Sequence, residues 1–171
     1  YWNPGTQTFT KIPQSPDRQN VLSLFASDDL VGAGYFKGGI DLIVPQDQVQ
    51  TFYPAQLGIS EGSVFALYRD RGGAIWLGDG WNIFRSADKG QTFEKMEQFG
   101  YAYMRDILED KSGNIWVATM GSGIFRYHPQ TDQMVSYKCI PGDSTSIGTN
   151  EVTGISEDSK GCLLYTSPSP R

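Results

Sequence analysis

The sequence predicts an all-β chain, a partial β-propeller of four-stranded antiparallel blades, on three observations. A unit of about forty residues recurs, turn chemistry falls at fixed offsets inside each unit, and glycines and prolines are spread along the whole length. The repeat is clearest where Val64–Gly78 aligns with Met104–Ala118, placing Trp76 and Trp116 40 residues apart. A third copy starts at Val152–Asp158 and reaches Gly161, and a degenerate one runs from Val21–Phe25 to Leu30–Ala33. The second half of the unit also repeats. Gly39-Ile40, Asn82-Ile83 and Gly123-Ile124 open short apolar runs, followed by Gln50-Thr51-Phe52, Gln91-Thr92-Phe93 and Gln133-Met134, with Gln7-Thr8-Phe9 in the same series.

Each unit reads as four strands, which in the best copy cover about 64–69, 74–78, 82–86 and 91–96. The first link, Asp70 to Gly73 or Asp110 to Gly113, supplies an aspartate to cap a tight turn and a glycine to take positive φ; Asp158 opens the same link in the third copy. The first strand alternates apolar and polar residues, as a strand with one inward face does, while Trp76 and Trp116 place bulk between neighbouring sheets. Sheets this small cannot bury both faces alone, so they must stack on one another, and radial stacking gives a propeller. The expected organisation is a β-propeller segment over 1–161. It has a blade end at 1–12, blades at about 20–55, 63–98 and 104–138, and the start of another at 150–161, the ring being completed by sequence outside the chain. Residues 162–171, Cys162 to Arg171, leave the pattern and resemble translated adapter read-through, so they are read as a non-native tail.

A formal net charge of -5 argues against nucleic acid, whose backbone is gripped by clustered Lys and Arg. No apolar run approaches the roughly 20 residues that span a bilayer, so no membrane insertion is expected in this segment. Two cysteines, Cys139 and Cys162, make neither a disulfide framework nor a zinc pattern, and no cofactor or metal is expected.

Ile107–Thr119, followed by Gly121–Tyr127, resembles the two-component regulator propeller repeat, and the spacer Ile140–Asn150 is similar to the link between blades in that family. The resemblance implies the periplasmic sensor region of a hybrid histidine kinase, many of which respond to oligosaccharides in gut bacteria, with the kinase outside this chain and a periplasmic or extracellular location. Ser86-Ala87-Asp88-Lys89-Gly90-Gln91-Thr92-Phe93 is similar to the Asp-box hairpin S-x-D-x-G-x-T-W, Phe93 replacing Trp. In the families that carry the box it is structural, so Ser86, Asp88 and Gly90 are read as turn formers.

Catalysis needs a unique constellation, whereas the conspicuous carboxylates Asp70, Asp110 and Asp158 recur at equivalent positions and read as scaffold. Arg85 and Arg126 are equivalent to each other and read as solvated charges on an outer strand. His128, the only histidine, reads as part of a solvated turn with no partner for metal or nucleophile. No enzymatic activity is therefore expected of the chain itself. Four alternating strands put the first and third links on one face and the second links and inter-blade crossings on the other. On that second face fall Tyr35, Phe36, Lys37, Trp81, Tyr101, Tyr103, Arg105, Met120 and Asn150, where aromatic groups with polar tips suit sugar rings. The expectation is a sensor or interaction module whose partners are an oligosaccharide or other small ligand, the remaining blades and, in signalling, a second copy. A sialidase-like or lyase propeller and a cell-surface scaffold are the alternatives.

Overall fold

In the computed structural model, which describes residues 2–3, 8–9, 20–44, 48–59 and 62–168, the strands form successive antiparallel sheets in which each strand pairs with its neighbour in sequence. The first pair is β1 (Trp2–Asn3) with β2 (Thr8–Phe9). The next sheet holds β3 (Val21–Ala26), β4 (Val31–Tyr35), β5 (Gly39–Val44) and β6 (Gln48–Phe52). It is followed by β7 (Ala66–Arg69), β8 (Ile75–Gly78), β9 (Ile83–Ser86) and β10 (Glu94–Lys95). Then come β11 (Met104–Glu109), β12 (Ile115–Thr119), β13 (Ile124–His128) and β14 (Gln133–Tyr137). Last is the pair β15 (Gly154–Glu157) and β16 (Leu163–Thr166). The first strands β3, β7, β11 and β15 neighbour one another across sheets, which is the radial arrangement of a propeller. The all-β expectation holds. The only helical turns among the described residues are α1 (Pro54–Leu57) and the 3-10 turn Glu97–Phe99. Much of the blade end expected at 1–12 lies outside the described residues, as do 169–171.

Three apolar seams hold the sheets together. Ile75 and Leu77 bury into a cluster with Ile40 and Leu42 of the preceding sheet and Val64 of the crossing between the two, while Trp76 buries into one with Met104, Ile115 and Tyr127 of the following sheet. Both faces of β8 are covered, which explains why its sequence is continuously apolar rather than alternating. Trp116 with Val152 and Ile155 makes the third seam. Each fully buried aliphatic or aromatic side chain contributes about 1.5–3 kcal/mol to this packing.

The turn chemistry is repeated in atomic detail. Asp70 Oδ1 accepts the Ala74 amide at 2.8 Å, Asp110 Oδ1 accepts that of Asn114 at 2.9 Å, and Asp158 Oδ1 accepts that of Cys162 at 2.8 Å. Gly73, Gly113 and Gly161 take φ of 88°, 85° and 86° in the same turns. The second carboxylate oxygen has a role of its own. Asp70 Oδ2 accepts the indole N–H of Trp76 at 2.9 Å, and Asp110 Oδ2 that of Trp116 at 2.7 Å, locking the turn to the second strand. Leu164 stands at the corresponding offset from Asp158. In the degenerate copy Gly32 holds the tryptophan position opposite Phe25, and a Cβ there would lie 2.2 Å from the Phe25 ring, so that ring fills the space of the missing indole.

Three expectations are corrected. The fourth strand of the second full sheet is only Glu94–Lys95 instead of 91–96, because residues before it are bound into the turn: Asp88 accepts the Thr92 amide at 2.9 Å and its hydroxyl at 2.6 Å, and Ser86 Oγ accepts the Gly90 amide at 2.8 Å. Arg85 and Arg126 are half-buried rather than solvated. The ladder sets them opposite Trp76 and Trp116, over whose rings their guanidinium carbons lie at 5.4 and 5.7 Å. His128 closes β13 instead of sitting in a turn, with its Nδ1 buried and without a hydrogen bond. Within the segment read as a tail, Leu163–Thr166 pairs with Gly154–Glu157 as a second strand.

Charged clasps join adjacent sheets at the rim of the first links. Arg71 pairs with Glu109 at 3.0 Å, while the Lys111 amide donates to Glu157 at 3.1 Å and its ammonium to the carbonyls of Asp158 and Ser159 at 2.9 and 2.8 Å. In the preceding seam the polarity is reversed, Asp29 of the link facing Arg69 of the next sheet. The hydrogen bond from Arg69 holds the Asp29 carboxyl at about 2, and the Thr92 hydroxyl and amide, with Ser86, hold Asp88 there as well. Both carboxyls lie below the ordinary carboxylate range, so their contribution is complete above about pH 4 and fades as pH falls toward about 2. Thermal unfolding followed by circular dichroism is expected to show a melting temperature that drops across that window. The drop should be shallower in the double variant Asp29→Asn/Asp88→Asn, and equal slopes would contradict the assignment.

Candidate functional site: an aromatic face on the inter-blade loops

The loop between β8 and β9 is built on a buried acid. Asp79 is fully buried and its Oδ1 accepts the backbone amides of Trp81 at 3.0 Å and Asn82 at 2.8 Å, while both of its oxygens receive the Asn82 side-chain amide at 3.3 Å. This Asx-type turn fixes the backbone of Trp81 while the indole remains 48% exposed. The Trp81 carbonyl accepts the Ala102 amide at 3.1 Å, and the Tyr103 carbonyl accepts the Met120 amide at 2.9 Å. The crossing between the two sheets is thereby tied to the loops on either side of it.

Tyr103 is consequently held at the centre of an aromatic group. Its ring lies 5.3 Å from Phe65 and 5.7 Å, edge to face, from Trp81, with the Arg105 guanidinium carbon 6.0 Å from its centroid. Edge-to-face pairs are preferred because the positive ring edge meets the negative face of its neighbour. Tyr101 is 80% exposed, with the Lys95 ammonium 5.8 Å from its ring. Beside the group, a cavity of about 280 Å³ opens among the first strands, lined by Leu24, Phe65, Tyr68, Arg105 and Asp106 among others.

The nine residues expected on this face divide. Trp81, Tyr103 and Arg105 come together, Tyr101 and Met120 are exposed on the same loops, and Phe36 is exposed with the Lys37 ammonium 5.5 Å from its ring. Tyr35 is a correction: it is 2% exposed and its hydroxyl donates to the buried Asp41 carboxylate at 2.9 Å. Asn150 is another. Its side-chain oxygen accepts the Cys139 amide at 2.8 Å and its carbonyl accepts the amides of Gly121 and Gly123 at 2.8 and 3.0 Å, so it serves as a clamp between crossing and loop. Phe65 and Asp79 were not anticipated. The Asp-Gly pair at 79–80 is a turn signal that would have found Asp79, whereas Phe65 joins the group only through its packing on Tyr103 from another sheet. Among the described residues no three metal-ligating side chains converge, and no helix is long and apolar enough to cross a membrane.

The model of the two component regulator propeller matches residues 98–121, from the 3-10 turn through β12. This stretch is similar to a regulator-propeller repeat. That repeat contains Tyr101, Tyr103 and Arg105 as well as the Asp110 and Trp116 pair, so part of the aromatic face is built by the motif itself. Among solved structures, the chain is similar to the extracellular domain of a putative hybrid two component system from B. thetaiotaomicron, at 23% identity and TM-score 0.68, over 86% of this chain and 20% of that one. It is also similar to a catalytically inactive virginiamycin B lyase from Staphylococcus aureus with quinupristin, at 18% identity and TM-score 0.70, over 92% of this chain and 52% of that one. A third likeness is to PorZ, a surface component of the type-IX secretion system of Porphyromonas gingivalis, at 14% identity and TM-score 0.67, over 96% and 27%. The chain thus spans about a fifth of the first structure and about half of the second. These likenesses share the propeller fold. No curated protein matches the chain.

Proposed function

We propose that this chain is a ligand-recognition segment of an extracellular or periplasmic two-component sensor, acting by binding an oligosaccharide and not by catalysis. The observation that carries the reading is the Phe65, Tyr103 and Trp81 group, in which the rings pack on one another, the Trp81 and Tyr103 backbones are hydrogen-bonded and the Trp81 indole is half exposed on the loop face. Flat apolar rings with polar edges match the apolar faces of sugar rings, and a pre-fixed platform avoids the entropy of ordering the site on binding. The regulator-propeller repeat supports a role in two-component signalling. The recurring carboxylates are engaged in turns, which supports binding over acid-base chemistry. The signal would reach a histidine kinase elsewhere in the protein through different ligand affinities of two arrangements of the sensor, across a pair of copies.

The test is titration calorimetry of the intact protein against an oligosaccharide panel, with Trp81→Ala and Tyr103→Ala alongside. Each variant is expected to weaken binding by about 10- to 30-fold, the range of a well-packed aromatic anchor. Trp81→Ala should leave the melting temperature near that of the parent, because its indole lies outside the seams. Unchanged affinity in both variants would remove the aromatic face as the site.

A further inference from the structure

We infer, resting on the reading above, that the ligand is an acidic saccharide whose carboxylate is taken by Arg105. The first ground is backbone geometry. The ladder between β11 and β12 pairs Met104 with Thr119 and then Asp106 with Ala118, so Arg105 is the extra residue of a β-bulge. A bulge leaves its residue out of the ladder and re-aims the side chain, here over Tyr103 and along the edge of the 280 Å³ cavity.

The second ground is charge. Among the described residues the other arginines are engaged: Arg69 with Asp29, Arg71 with Glu109, and Arg85 and Arg126 stacked half-buried on Trp76 and Trp116. Arg105 is exposed and has no carboxylate partner among them. Its neighbour Asp106 does not supply one, since Oδ1 accepts the Ile107 amide at 2.9 Å and Oδ2 the Ile155 amide at 3.0 Å. In a chain of net charge -5, a guanidinium without a carboxylate partner among the described residues lies over the ring of Tyr103, next to the partly exposed Trp81. Lys37, also without a carboxylate partner among the described residues, sits on the β4–β5 loop of the first full sheet, while Glu151 sits on the crossing before β15, bridged to Met120. The planar fork of arginine matches a carboxylate with two parallel hydrogen bonds, a geometry that lysine does not provide. At about 280 Å³ the cavity falls just below the roughly 300–1,000 Å³ typical of small-ligand sites, room for a single terminal ring of a chain lying across the aromatic platform.

The probes are uronate trisaccharides from polygalacturonate, alginate and glucuronan, each paired with its carboxyl-reduced neutral counterpart, plus one sulfated neutral trisaccharide. They are titrated into the intact protein and into Arg105→Gln, Arg105→Lys and Trp81→Ala, each first shown to retain the parent melting temperature. At least one uronate should bind tenfold or more tightly than its neutral partner. Arg105→Gln should erase that preference, Arg105→Lys should keep only part of it, and Trp81→Ala should weaken both members of the pair. Equal affinities within every pair, a preference that survives Arg105→Gln, or binding of the sulfated probe alone would overturn the carboxylate assignment while leaving the aromatic face in place. Binding that ignores Trp81→Ala would overturn the face itself, and no binding by any probe would end both.

Discussion

Replacing Trp76 with alanine is expected to cost about 3–5 kcal/mol of stability, the range for emptying a buried aromatic site, and to lower the melting temperature by roughly 10 °C or more. Three separate losses combine in that figure. The indole is 0% exposed in the seam between the second and third full sheets, where its ring meets Tyr127 edge to face at 5.7 Å. Its N–H is the donor to Asp70 Oδ2, and the Arg85 guanidinium lies over its ring. Removing the ring therefore opens a cavity, strands a turn carboxylate and leaves a half-buried cation whose Nε already lacks a hydrogen bond. Trp76→Phe separates these contributions. It keeps much of the apolar volume and removes only the indole donor, so about 1–2 kcal/mol is expected. Thermal and denaturant unfolding would measure both variants. A Trp76→Ala protein as stable as its parent would mean that this seam is not what joins the sheets.

The contrast with Trp81 shows what the sequence makes legible. Both residues follow a glycine-containing turn, and the repeat assigns Trp76 to scaffold because Trp116 recurs at the same offset, while Trp81 has Ser122 near the matching place in the next unit. Repetition thus separates structural tryptophan from unique tryptophan without coordinates. The turns were legible for a related reason: an aspartate and a glycine three residues apart close their own hydrogen bonds, and the result depends on no distant residue. What depends on distant residues was not legible. The Asp70 to Trp76 bond is fixed by the register of a hairpin, and Tyr35 turns inward because Asp41 on the paired strand stands in reach of its hydroxyl. Asn150 looks like a free loop residue until the crossing folds back and its oxygen meets the Cys139 amide. Arg105 was legible as an exposed polar group but not as a bulge, since a bulge is a mismatch between two strands and appears in neither alone.

Substituting alanine at Gly123 is expected to cost about 2–5 kcal/mol, the sum of left-handed strain and overpacking against a rigid neighbour. Gly123 has φ of 79°, and a Cβ on it would lie 2.2 Å from the Tyr137 carbonyl oxygen. That atom is backbone at the end of β14 and has no rotamer through which to retreat. Nor is Gly123 free to move away, because its amide donates to the Asn150 carbonyl at 3.0 Å and its carbonyl accepts the Thr119 amide at 3.1 Å and hydroxyl at 2.7 Å. Gly39 repeats the arrangement two units upstream, with φ of 71° and a Cβ position 2.1 Å from the Phe52 carbonyl oxygen. The middle sheet solves the same junction differently. Asn82 is not among the residues of positive φ there, and it spends its side chain on Asp79. Gly39→Ala should therefore resemble Gly123→Ala, while Asn82→Ala should lose only about 0.5–1.5 kcal/mol for its hydrogen bonding. Chemical denaturation of the three variants measures the difference directly. Equal, small losses at all three would show that the loop face is held by something other than the close backbone approach at these junctions, and with it the placement of Met120 and Tyr103 beside the aromatic site.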